Sequence, residues 1–148
     1  MTNITLTADK AKVYEEVAKT TSYTGAKMGE EGAYDRIFTT DEDGDMLDRF
    51  WDESRNAVEG NLRRFITSAT EDGGIYTVSL SLPSSFNTAL TDGMNKSLFS
   101  FLVAGIISRW YTIANKDEAE GYATAATAHM DDILSKAYFR QQPTRPEY

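Results

Sequence analysis

The chain has 148 residues, no cysteine, a single histidine and a formal net charge of −8. Without cysteine there are no disulfides, thiolate metal sites or cysteine nucleophiles, and one histidine leaves little scope for zinc or imidazole chemistry. Residues 1–60 hold 14 acids against 7 bases, and a chain so acidic is a poor grip for nucleic acid phosphates.

In chain order, "ITL" (4–6) predicts a short extended piece, and Thr7 is placed to cap a helix. Ala11, Tyr14, Val17 and Ala18 give that helix one apolar face, with an end expected near Ser22. Residues 23–39 contain Gly25, Gly29 and Gly32 without a clear period and predict a loop. A second helix is expected over roughly 41–67, because Met46, Leu47, Phe50, Trp51, Ala57, Val58, Leu62, Phe65 and Ile66 recur at helical spacing. "EDGG" (71–74) is a turn, and "IYTVSLSLP" (75–83) sets Ile75, Thr77 and Ser79 against Tyr76, Val78, Leu80 and Leu82, the pattern of a strand. A lone strand cannot satisfy its backbone, so it pairs either with residues 4–6 or with a neighbouring subunit.

Pro83 closes the strand, and Ser84 or Ser85 is placed to cap a long apolar helix over 86–115. One face of that helix carries Leu90, Met94, Leu98, Phe101, Leu102 and Ile106. Another carries Phe99, Val103, Ile107, Trp110 and Ile113, so the helix is central to the fold or lies at an interface. Its most apolar run, "LFSFLVAGII", is about half the ~20 residues a membrane span needs, and no signal pattern opens the chain; a soluble protein made and used without secretion is expected. Asn115 and Glu118 form a capping box for a last helix, with Ala119, Tyr122, Ala123, Ala126, Met130, Ile133, Leu134 and Ala137 on one face and an end near Arg140. "QQPTRPEY" is an extended tail, since Pro143 and Pro146 forbid helix. The expected fold is mostly α: a bundle of about four helices with one short strand or hairpin element at 75–82. It forms a single domain over 1–140, with the tail at 141–148.

Asp41, Asp43 and Asp45 alternate as they do at the start of a calcium loop. The sixth position from Asp41 is Met46 instead of glycine, the ninth is Arg49 and the twelfth is Asp52 instead of glutamate. The acids read better as a helix start: Thr40 with Asp43 three residues on is an acidic capping box, and the acids sit at the positive end of the helix dipole. His129 with Asp132 supplies two ligands at most, too few for a metal. Arg63 and Arg64 read as complements to the C-terminal end of their helix. There is no G-x-S-x-G, phosphate loop or H-E-x-x-H, and the adjacent Asp131 and Asp132 point about 100° apart on a helix. No catalytic residue, cofactor or metal is expected, and the chain is read as a non-enzyme.

The landmarks together resemble one family: "ITL" leading into a helix; "DEDGDMLDRF" opening a helix that runs "SRNAVEGNLRRFI"; a strand closing on "LP"; a long apolar helix containing "SRWY"; and a last helix ending "YFRQQPTRP". This order is similar to the phage head–tail connector (adaptor) proteins. The resemblance implies a virion structural protein, a homo-oligomeric neck ring of about a dozen subunits. Such a ring contacts the portal protein above and a stopper or tail protein below; DNA passes through without specific binding, and no membrane is involved. It also implies a portal-binding C-terminal segment, here Phe139, Arg140, Pro143, Arg145, Pro146 and Tyr148. Tyr76, Val78 and Arg109 are the candidates for the subunit interface. The alternatives are another phage assembly part, such as a stopper or tail-completion protein, or a monomeric helical protein-binding module.

Overall fold

The computed structural model describes residues 1–27, 32–33 and 38–139. Four α-helices and one three-stranded antiparallel sheet share a single hydrophobic core among these residues. The strands are β1 (Thr2–Asp9), β2 (Ile66–Asp72) and β3 (Ile75–Leu82), in the order β1-β3-β2. The helices are α1 (Lys10–Lys27), α2 (Gly44–Asn61), α3 (Thr91–Ala114) and α4 (Lys116–Tyr138).

Of the two partners open to the strand, the segment at 4–6 is the one that pairs with it, and it is longer than expected. Thr2 to Asp9 pairs with β3 from Leu82 to Ile75, so the alternation of Ile4, Leu6 and Ala8 continues through Thr7. Thr7 therefore caps no helix; its N–H donates to Asn95 Oδ1 of α3 at 2.9 Å, which satisfies a group on the outer edge of the sheet. Asp9 takes the capping role instead, its Oδ1 accepting from the Ala11 N–H at 3.0 Å. α1 then runs past Ser22 to Lys27. Its buried stripe is Val13, Val17, Thr21 and Gly25 at four-residue spacing, and half of that stripe is not apolar. Thr21 Oγ1 donates to the Val17 carbonyl and accepts the Thr39 N–H, which ties the chain entering α2 to α1.

The second correction concerns residues 62–72. Leu62 stops α2, and the Phe65 and Ile66 N–H groups both return to the Leu62 carbonyl. The chain then becomes β2 instead of more helix. Gly73 and Gly74, with φ of 59° and 80°, form the two-residue turn into β3, a geometry that glycine adopts without a Cβ penalty. The single strand of the sequence reading is thus one of three, and its pairing is internal to the chain. β2 carries a register shift between Ile66 and Ser68 and ends on Glu71 and Asp72, features that blunt an open sheet edge.

One sheet face packs on the helices through Ile4, Leu6, Tyr76, Val78, Leu80 and Leu82, each at most 8% exposed. On the opposite face the central cross-strand rows, Thr7–Thr77–Thr70 and Thr5–Ser79–Ser68, carry hydroxyls, and the row beside the turn, Asp9–Ile75–Asp72, carries two carboxylates and no cation.

At the start of α2 the Asp43 carboxylate accepts the Thr40 N–H at 2.8 Å, the back-reaching half of a capping box. α3 begins at Thr91, after a 3-10 turn whose cap is Asn87, accepting from the Ala89 N–H; the serines after Pro83 do not cap it. Thr88–Ala114 has the length and composition of a membrane span, but its neighbours account for its apolar character. α4 covers α3 along its length, and α1, α2 and β1 pack on its other sides. Leu98, Leu102 and Ile106 are fully buried, whereas Ile113, assigned to an apolar face by spacing, is 62% exposed. α3 and α4 run antiparallel about the single connecting residue Asn115.

A polar clamp joins α3 to α4. Asp132 Oδ2 accepts from Ser97 Oγ and from Lys136 Nζ, and the lysine first and the serine second hold the Asp132 carboxyl below the usual carboxylate range. A carboxyl depressed on folding contributes stability above its unfolded pKa, and that stability is lost as pH falls through the folded value. Asp132→Asn is therefore expected to lower Tm at pH 7, with the gap from wild type closing below about pH 4. Thermal melts at several pH values check this; a gap that stays constant with pH would contradict it.

Candidate functional site

The residues predicted to meet other chains fall in three places. Tyr76 and Val78 are fully buried on the inner sheet face, so neither side chain is offered to a neighbouring subunit. The alternation that marks β3 as a strand also decides which face is buried, and helices of the same chain cover it. Tyr76 lies edge-on to Trp51 and donates to Glu59 Oε1 at 3.3 Å. Arg55 stacks over its ring at 4.7 Å. Burial, with Glu59 second, raises the Tyr76 hydroxyl above its ordinary pKa.

Arg109 also serves its own chain. Its Nε sits 3.1 Å from Glu53 Oε2, and its Nη1 donates to the buried Ser54 Oγ at 3.0 Å and to the Gly105 carbonyl at 3.1 Å. A Cβ at Gly105 would stand 3.1 Å from both Ser54 Oγ and Arg109 Nη1, so the missing side chain lets the guanidinium cross from α3 to α2. Arg109, a candidate for the subunit interface, thus has its carboxylate partner on α2 of the same chain.

The third place is the end of α4. Ala137 is its last fully buried residue. Tyr138 and Phe139 follow, 46% and 49% exposed, and Phe139 caps the helix with extended backbone angles, φ −61° and ψ 133°. The Tyr138 ring packs edge-on against Phe65, centroids 5.1 Å apart. Arg64 lies 6.0 Å over that ring and donates from Nη1 to the Tyr138 hydroxyl at 3.2 Å. Gly60, Asn61, Arg63, Arg64 and Tyr138 line an open polar notch of about 440 Å³. Of the segment expected to bind the portal, Phe139 stands at this corner; Arg140, Pro143, Arg145, Pro146 and Tyr148 lie outside the described residues.

Spacing did not reveal this corner. Arg63 and Arg64 read as helix-end complements, and Tyr138 was not singled out. The fold brings residues 74 positions apart into hydrogen-bonding contact, and the available signal was composition: exposed Tyr and Phe beside Arg is what protein-binding hot spots are made of.

Among the described residues no three His, Cys, Asp or Glu side chains gather in metal-binding geometry. Tyr14 donates to Asp48 Oδ1, and Lys10 pairs with the same carboxylate at 3.1 Å. Burial first, then Asp48, raises the Tyr14 hydroxyl; the Tyr14 hydrogen bond lowers the Asp48 carboxyl. This is a link between α1 and α2 with its donors and acceptors matched.

Comparison with protein-family models, with curated proteins and with solved structures finds no match to this chain.

Proposed function

We propose that this chain is a virion structural protein, a subunit of a head–tail connector ring that joins the portal to a stopper or tail protein and surrounds the DNA path. The observation that carries the reading is the corner at the end of α4. Half-exposed Tyr138 and Phe139 stand there beside two exposed arginines, at the root of a tail carrying two prolines. Aromatic residues and arginine at such density on a surface suit docking to another protein. The outer sheet face is consistent with a ring around DNA, since rows of threonine and serine give phosphates no cation to bind. The role is architectural instead of catalytic. Mass spectrometry of purified virions of the encoding phage tests it. The reading expects this chain in the particle at about a dozen copies, in a fixed ratio to the portal; its absence from virions would overturn it.

A further inference from the structure

α2 has two unlike ends. At its start, Glu42 and Asp45 are exposed and make no ion pair among the described residues. Beside them opens a mainly apolar hollow of about 440 Å³, lined among the described residues by Tyr14, Ala18, Phe38, Thr40 and Leu47. At the other end, about 27 Å away by the rise of an 18-residue helix, stand Arg63, Arg64 and the half-exposed Tyr138. Arg49, Arg55 and Arg109 each reach a glutamate of their own subunit. Arg63 and Arg64 reach no carboxylate among the described residues.

We propose that these two ends are the halves of one head-to-tail contact between copies of this chain. The Arg63–Arg64–Tyr138 corner of one subunit seats on the Glu42–Asp45 end of α2 in the next. Each end supplies what the other lacks: guanidinium groups meet carboxylates, and an exposed aromatic ring meets an apolar hollow. The two patches differ and lie at opposite ends of a rigid helix, and in the ring of the connector reading the contact between them is heterologous. One subunit uses both patches at once, and repetition propagates the contact until its rotation closes a ring. A two-fold dimer with its α2 helices side by side and antiparallel would pair the same ends twice and close at two copies; a wild-type mass that stops at two copies would overturn the head-to-tail contact. With each copy at −8, the oppositely charged ends also fix orientation on approach. The inference rests on the connector reading and names the surfaces that build its ring.

Charge reversal tests it in the full-length chain, with portal present where the ring needs it. One variant carries Arg63→Glu and Arg64→Glu, a second carries Glu42→Arg and Asp45→Arg, and a third carries all four substitutions. Mass photometry reads association. Each two-substitution variant should associate roughly tenfold or more weakly than wild type. An equimolar mixture of the two should regain association, and so should the four-substitution chain, which also shows that the changes have not unfolded the protein. If wild type forms rings and the two-substitution variants form them equally well, these surfaces are not the contact while the connector reading stands. If the two-substitution variants fail and neither the mixture nor the four-substitution chain recovers, the pairing is wrong. If wild type associates neither alone nor with portal, the ring and the contact both fall.

Discussion

Replacing Trp51 by alanine is expected to cost about 3–5 kcal/mol of folding stability, the largest loss from any single side chain in this core. Trp51 is fully buried, and its ring lies edge-on to both Tyr14 and Tyr76, with centroids 6.3 and 6.1 Å away. Its indole N–H donates to Glu71 on β2. One side chain thus joins α1, α2 and two strands of the sheet. Alanine would leave a cavity at that junction and an acceptor on Glu71 without its donor. Trp51→Phe keeps most of the volume and loses the N–H, and should cost less than the alanine variant. Urea denaturation followed by circular dichroism measures both. A loss under about 1 kcal/mol for Trp51→Ala would mean that the junction is not the centre of the core.

Deleting residues 141–148 is expected to abolish co-assembly with the portal while leaving the subunit folded. α4 ends at Tyr138, and the last fully buried residue is Ala137. The deletion therefore removes no described core residue, and Tm should move by less than about 2 °C. The segment carries Arg145 with Pro143 and Pro146, and proline limits the backbone freedom a chain loses on docking. Size-exclusion chromatography with the portal reads the outcome. Co-elution of the truncated chain with portal would remove the tail from the docking role, and failure to fold would assign the tail to the core.

The elements that declared themselves in the sequence did so through period. β3 alternated cleanly, and β1 was visible as its candidate partner. α2, α3 and α4 showed continuous helical stripes. β2 was hidden because Leu62, Phe65 and Ile66 happen to continue the helical spacing of α2, although Leu62 ends the helix. The missed clue was the turn itself: Gly73-Gly74 directly before a strong strand implies a strand directly after residue 65, since a two-residue glycine turn is a hairpin signature. The second half of α1 was hidden because Thr21 and Gly25 are buried without an apolar side chain, Thr21 by hydrogen-bonding to the Val17 carbonyl, which an apolar count does not register.

The candidate site was less legible, for a related reason. Phe139 could be marked from its place before a proline-containing tail. Its setting depends on α2 and α4 ending at the same corner, which puts Arg64 on Tyr138 across 74 residues of chain. Arg109 was misplaced at an interface because spacing does not reveal a partner on another element; only the packing of α3 on α2 assigns it Glu53. Tyr76 and Val78 were misplaced because alternation tells which residues share a face and leaves open what covers that face.

Native mass spectrometry of this chain mixed with the portal protein of the same phage tests the connector account most directly. The account predicts one discrete complex in which the portal gains about a dozen copies of the 16.5 kDa chain. A portal that gains no mass, with this chain remaining at 16.5 kDa beside it, would contradict the account.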